Sequence, residues 1–148
     1  MENLNNDILS SHFTISEFVK SETAKRLGID NTPSREVINN LKFGTTYILE
    51  PLRLMYGKPI IINSGYRCEK LNRAVGGVSN SYHLAGKAAD IKLASNDEAE
   101  KLFQLLKKNK LVDVCLFEHA SSSIWLHVQW RPEGNPRHHF NYNFKAYV

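Results

Sequence analysis

At 148 residues, 42% of them hydrophobic and 23% charged, the chain is long enough for one domain with its own core and too apolar for a disordered segment. The formal charge is +4, but the lysines and arginines are dispersed and form no basic cluster interleaved with aromatics, so no nucleic-acid partner is expected. No apolar run approaches the roughly 20 residues that cross a bilayer, so no membrane insertion is expected either.

Residues 1–10 are polar and acidic, with neither the basic start nor the apolar stretch of a secretory signal. Synthesis in the cytoplasm is expected, with any extracellular target reached by another route. Residues 1–12 read as a flexible N-terminus and residues 13–148 as a single domain. Ser16 is placed to cap a first helix, with Phe18 and Val19 turned inward, and residues 27–31 read as a turn. Thr32-Pro33 opens a longer helix. In it Val37, Ile38, Leu41, Thr45, Ile48, Leu49 and Leu52 recur at helical spacing, until Gly57-Lys58-Pro59 stops it.

Residues 59–63 contain three consecutive isoleucines and predict a short strand buried on both faces. A short helix over 67–75 ends at Gly76-Gly77, and 78–87 reads as an irregular loop. Residues 88–93 predict a strand with Asp90 and Lys92 on one face and Ile91 and Leu93 on the other. Residues 95–98 resemble a capping box before a helix to about Asn109, whose buried stripe is Leu102, Phe103, Leu105 and Leu106. Lys107, Lys108 and Lys110 suit the negative end of that helix dipole. Residues 112–118 and 124–130 predict an antiparallel hairpin, and the alternating aromatics Phe140, Tyr142, Phe144 and Tyr147 permit an edge strand. The expected class is α+β: a small antiparallel sheet with helices packed on one face.

The chemistry concentrates in residues 63–90 and 125–128. A catalytic zinc takes three protein ligands and keeps a fourth position for water. His83, Asp90 and His127 suit those three places. Seven residues across Gly86 exclude a helical pair but fit a loop histidine followed by the start of a strand, and His127 shares a strand face with Trp125 and Gln129. A proton acceptor is still required, and Glu118 is the candidate. An even-numbered hairpin loop, as when residues 120–123 form it, sets Glu118 opposite Trp125 and on the face of His127; an odd-numbered loop turns it away.

Arg67 suits a substrate carboxylate or a developing oxyanion, with a structural salt bridge as the plainer alternative. Ser81 can bond the substrate or orient its own loop. His12, His138 and His139 read as structural or solvated, and His119 as facing the far side of the hairpin. Trp125 and Trp130 are open between core packing and ligand stacking. Cys68 and Cys115 are too few and too far apart for a disulfide framework or a paired-cysteine metal site; both read as reduced, Cys115 in the core. Two histidines and a carboxylate also describe the facial triad of non-haem iron oxygenases, but the spacing of seven and the short chain argue against it.

The motifs S-G-Y-R (64–67), L-N-x-x-V-G-G (71–77), S-x-H-x-x-G-x-A-x-D (81–90) and W-L-H-V (125–128) together resemble the zinc D-Ala-D-Ala carboxypeptidase-like peptidases, which include cell-wall endopeptidases of phages and share a fold with the Hedgehog signalling domain. The resemblance runs from about Phe13 to Trp130. It implies zinc on His83, Asp90 and His127, a substrate-binding Arg67 and a supporting Ser81. Many members place the catalytic acid three residues before the second histidine, where this chain has Ile124; Glu118 looks like the glutamate of the Hedgehog-like and short phage-like branch. Cys68 stands where a serine is common. The expected activity is hydrolysis of peptide bonds in peptidoglycan stem peptides by a monomer, as a D,D-carboxypeptidase or an endopeptidase, in a phage or prophage lysis setting. The alternative is a zinc-containing binding module of the same fold without catalysis.

Overall fold

The computed structural model describes residues 8–142. Strands β1 (Ile8–Ser10) and β2 (Phe13–Thr14) pair antiparallel ahead of helix α1 (Ile15–Val19). Residues 8–12, expected to be frayed, are therefore ordered: Leu9 is buried, and Ser10 and His12 bond the Glu50 carboxylate. Residues 1–7 of the expected flexible stretch, and Phe144 and Tyr147 of the tail, lie outside the described residues. The cap of α1 is Thr14 rather than Ser16, in a reciprocal capping box with Glu17.

Helix α2 (Glu22–Leu27) precedes the expected turn at Gly28, and α3 (Arg35–Gly44) starts behind Ser34, whose hydroxyl accepts from the Val37 N–H. The chain continues through a π-helical segment, Thr45–Leu49, into α4 (Glu50–Tyr56), which ends at Gly57. Of the positions read from the spacing, Val37, Leu41, Thr45, Ile48, Leu49 and Leu52 are buried and Ile38 is partly buried. Strand β3 (Ile62–Ser64), α5 (Glu69–Ala74), a 3-10 turn (Tyr82–Ala85), β4 (Ala88–Lys92), α6 (Asn96–Lys107), β5 (Val112–Ala120), β6 (Ser123–Trp130) and β7 (His139–Asn141) follow.

The fold is α+β, with a two-stranded sheet and a five-stranded sheet ordered β3-β4-β6-β5-β7. Every neighbour pair in the larger sheet is antiparallel except β5 and β7, so the tail does supply an edge strand, but a parallel one. The isoleucine stretch is not buried on both faces: Ile60 and Ile62 are buried, whereas Ile61, next to the core-facing Ile62 and so turned to the opposite side, is 56% exposed.

One sheet face carries Ile91, Cys115, Leu126, Val128 and Trp130 into a core shared with α3, α4 and α6. Each fully buried Leu, Ile or Phe there contributes about 1.5–3 kcal/mol. The strand period of two then puts Asp90, Glu118, Trp125, His127 and Gln129 on the other face. No helix among the described residues is long and apolar enough to cross a membrane.

Candidate metal centre

Three separate elements bring His83, Asp90 and His127 together. His83 lies in the 3-10 turn, which Ser81 caps by accepting from the His83 N–H at 3.2 Å. The turn closes at Gly86, whose φ of +71° is left-handed and whose Cβ, were there one, would lie 2.8 Å from the Val37 carbonyl oxygen. Asn40 fixes the same turn by donating to the Ala85 carbonyl at 2.8 Å. Asp90 on β4 sits directly opposite His127 on β6.

The donor atoms of the three residues all lie within 4.8 Å of one another. Asp90 Oδ1 is 3.3 Å from His83 Nε2 and 3.0 Å from His127 Nδ1. The other ring nitrogen of each histidine meets an acceptor: His83 Nδ1 lies 2.6 Å from the Gly65 carbonyl, and His127 Nε2 lies 2.7 Å from Gln129 Oε1. With a proton on each of those nitrogens, the lone pairs of His83 Nε2 and His127 Nδ1 converge with the carboxylate. Two imidazole nitrogens and one carboxylate oxygen in this arrangement are a donor set that fits zinc.

Burial pushes the His83 pKa down, and the Asp90 carboxylate only partly offsets it, so the ring favours the neutral, ligating form. For Asp90 burial acts upward, but the two imidazoles outweigh it and hold the carboxyl well below its ordinary range. Burial pushes His127 down, yet bonds to Asp90 and Gln129 outweigh it and leave the pKa raised.

The hairpin turns through Ser121-Ser122, with Ala120 paired to Ser123. That even-numbered loop sets Glu118 opposite Trp125, on the face of His127. Glu118 is only 5% exposed and accepts from Trp125 Nε1–H at 2.8 Å. Burial raises its pKa, with the positive character of His127 pulling the other way. Arg67 completes the wall of a cleft of about 240 Å³ that also exposes Ser81 and Trp125. Burial lowers the Arg67 pKa, though a guanidinium stays charged at any working pH. Its Nε is buried without a partner among the described residues, and its Nη2 makes one long bond, 3.5 Å, to Ser81 Oγ. An orphaned buried donor beside a cleft calls for an acceptor from outside the chain.

The remaining candidates sort as follows. Trp130 is in the core, its indole N–H bonded to the Asn40 carbonyl at 2.9 Å, while Trp125 lines the cleft. His119 is exposed, away from Glu118. His12 pairs with Glu50, and His138 bonds the Lys107 carbonyl. Cys68 caps α5 through its sulfur, and burial pushes the Cys115 thiol up. Sequence reasoning missed Asn31, which ties the Val19 and Tyr66 carbonyls to the Cys68 N–H around the Arg67 turn. It also missed any role for Gln129, although the strand period alone sets that residue beside His127.

A sheet face presenting this donor set beside a buried carboxyl and a guanidinium whose Nε has no partner among the described residues is a candidate mononuclear metal centre with hydrolase-type equipment. Comparison with known proteins narrows the class. The Peptidase M15 family matches residues 11–129, and the chain belongs to that family. It is also similar to the zinc D-Ala-D-Ala carboxypeptidase of Streptomyces albus G, 46% identical over 48 residues, which are 32% of this chain and 19% of that protein. The match thus spans about a fifth of that relative's length.

Proposed function

We propose that the chain is a zinc peptidase that hydrolyses peptide bonds in peptidoglycan stem peptides, with His83, Asp90 and His127 as ligands. The observation that carries this reading is the convergence of a His/Asp/His donor set with Glu118 and Arg67 around one cleft. Membership of a peptidase family and the likeness to a D-Ala-D-Ala carboxypeptidase support the reaction class and the D-amino-acid substrate. The surplus of positive charge suits an anionic wall polymer. Residues 13–148 act in this reading as one catalytic domain and as a monomer.

A zinc ion held by the three donors supplies Lewis acidity and lowers the pKa of water to about 7. The protein's own groups supply the rest. Arg67, whose guanidinium lines the cleft, holds a substrate carboxylate or carbonyl by charge-assisted hydrogen bonds. Ser81 accepts bonds from His83 and Arg67, so its O–H is available to a substrate acceptor. Glu118 takes the proton of the attacking water and returns it to the leaving amine, a task that its raised pKa favours near neutrality. The indole N–H of Trp125 keeps the carboxylate aimed between strands.

Mass spectrometry of purified peptidoglycan after incubation with zinc-loaded protein, against a chelator-treated control, tests the proposal. New fragments that vanish with the chelator are expected, and their masses decide between trimming of terminal D-Ala and cleavage inside the stem. Tight binding of one zinc per chain without fragments from any wall chemistry would instead favour a binding module.

A further inference from the structure

Gln129 and Asp113 form a polar chain behind the metal centre. The ladder between β5 and β6 pairs Val112 with Trp130 and Val114 with Gln129, so Asp113 is the extra residue of a bulge. Bulges bend a strand and re-aim a side chain. Here the fully buried Asp113 carboxylate reaches Gln129, whose Nε2 donates to Asp113 Oδ2 at 3.4 Å. Asp113 is itself held by Arg137, through the backbone N–H at 2.8 Å, Nε at 3.0 Å and Nη2 at 2.7 Å, and by Arg131 Nε at 3.3 Å. Both arginines lie past the stretch that the family match covers.

We propose that Gln129 is a positioning residue of the metal centre: it fixes the tautomer and ring plane of His127, and the clamped Asp113 fixes Gln129. The inference rests on the ligand assignment made above. A carboxylate only accepts hydrogen bonds, so the Gln129 NH₂ must face Asp113 and its carbonyl oxygen must face His127. That oxygen, 2.7 Å from His127 Nε2, takes the ring proton. The competing arrangement is close at hand, because His127 Nδ1 lies 3.0 Å from Asp90 Oδ1 and could donate to it by a charge-assisted bond. The proton would then occupy the very nitrogen that the metal needs. Gln129 decides between the two tautomers, and the two arginines hold the Asp113 carboxylate in place beside the amide.

The test uses the full chain and needs no substrate. Nitrogen-15 NMR of metal-free protein, above the titration of the imidazole, should show His127 protonated on Nε2. In Gln129→Leu the proton should move to Nδ1, and chelator competition should show zinc affinity reduced about 10–100-fold. Gln129→Glu combined with Asp113→Asn keeps an acceptor toward His127 and restores a donor–acceptor contact between positions 113 and 129 in the reverse sense, so it should retain the Nε2–H form and most of the affinity, a rescue that mere loss of packing would not give. A wild-type ring protonated on Nδ1, or Gln129→Leu with wild-type affinity, overturns the role of Gln129. A wild-type chain that binds no zinc overturns the ligand assignment itself, and the tautomer still reports separately on whether Gln129 controls the ring, also where Gln129→Leu fails to fold.

Discussion

Glu118 is held under opposing demands. Its pKa is raised, chiefly by burial, so the folded chain binds its proton more tightly than the unfolded chain does. The stability that it contributes is present below the unfolded pKa and is lost as pH rises through the folded value. At neutral pH an ionised Glu118 therefore costs the metal-free fold stability. Glu118→Gln removes that charge while leaving an oxygen for the Trp125 N–H. The variant should melt above wild type at pH 7, with the gap closing toward pH 4, and thermal scans across that range check it. Its zinc content should be unchanged while turnover falls about 10²–10⁴-fold, the usual contribution of a general base. A variant that keeps near-normal turnover would remove Glu118 from the mechanism. The residues most legible in the sequence are those whose chemistry restricts their type: few side chains bind zinc, and a spacing of seven across Gly86 leaves loop-to-strand geometry as the reasonable reading for His83 and Asp90. Asp113 was not legible, because strict alternation assigns it to the face of Cys115 and Phe117. Only the bulge brings it to Gln129.

At the level of elements, the site face of β6 is positioned by the packing of its opposite face on α3. Trp130 lies flat against Gly44: a Cβ there would fall 2.1 Å from Trp130 Cε2. Gly44→Ala should gain some helix propensity but force the indole or the helix to shift, and overpacking of this kind costs about 1–3 kcal/mol. Urea unfolding should show a lower midpoint at unchanged slope; an unchanged midpoint would mean that the contact relaxes freely. The sheet and the long helical stretch were readable from periodicity, but element ends were not. Ser16 and Thr14 both suit a cap, and Thr14 prevails because the residue three on is Glu17, which can reciprocate, whereas Ser16 is followed by Val19. Thr32-Pro33 does not open α3: the Thr32 N–H and hydroxyl both donate to Asp30 Oδ1, at 3.0 and 2.6 Å, in a turn before the helix, and Ser34 supplies the cap. The π-helical segment preserves the apolar pattern on both sides and so leaves no trace in it. The parallel sense of β7 depends on where the chain returns after Arg131, which alternating aromatics do not encode.

For the molecule as a whole, the proposed donors arrive from a 3-10 turn, β4 and β6, separated by 37 residues between Asp90 and His127, and they meet only in the folded chain. A metal that binds the native but not the unfolded state stabilises by RT ln(1 + [L]/Kd), about 4 kcal/mol at a thousandfold excess over Kd. For a domain of this size that corresponds to a rise in Tm of about 10 °C. Protons compete for the same lone pairs, since a histidine ligates only when neutral. His127, with its raised pKa, is the donor that protons reach first as pH falls, whereas His83, depressed by burial, resists to lower pH. The zinc-induced rise in Tm should therefore be full at pH 7.5 and shrink markedly at pH 5, before the fold itself fails. Thermal melts of stripped and zinc-loaded protein at the two pH values measure it directly. An equal shift at both would mean that the ion sits on carboxylates rather than on His83 and His127, and the assignment of the centre would have to move with it.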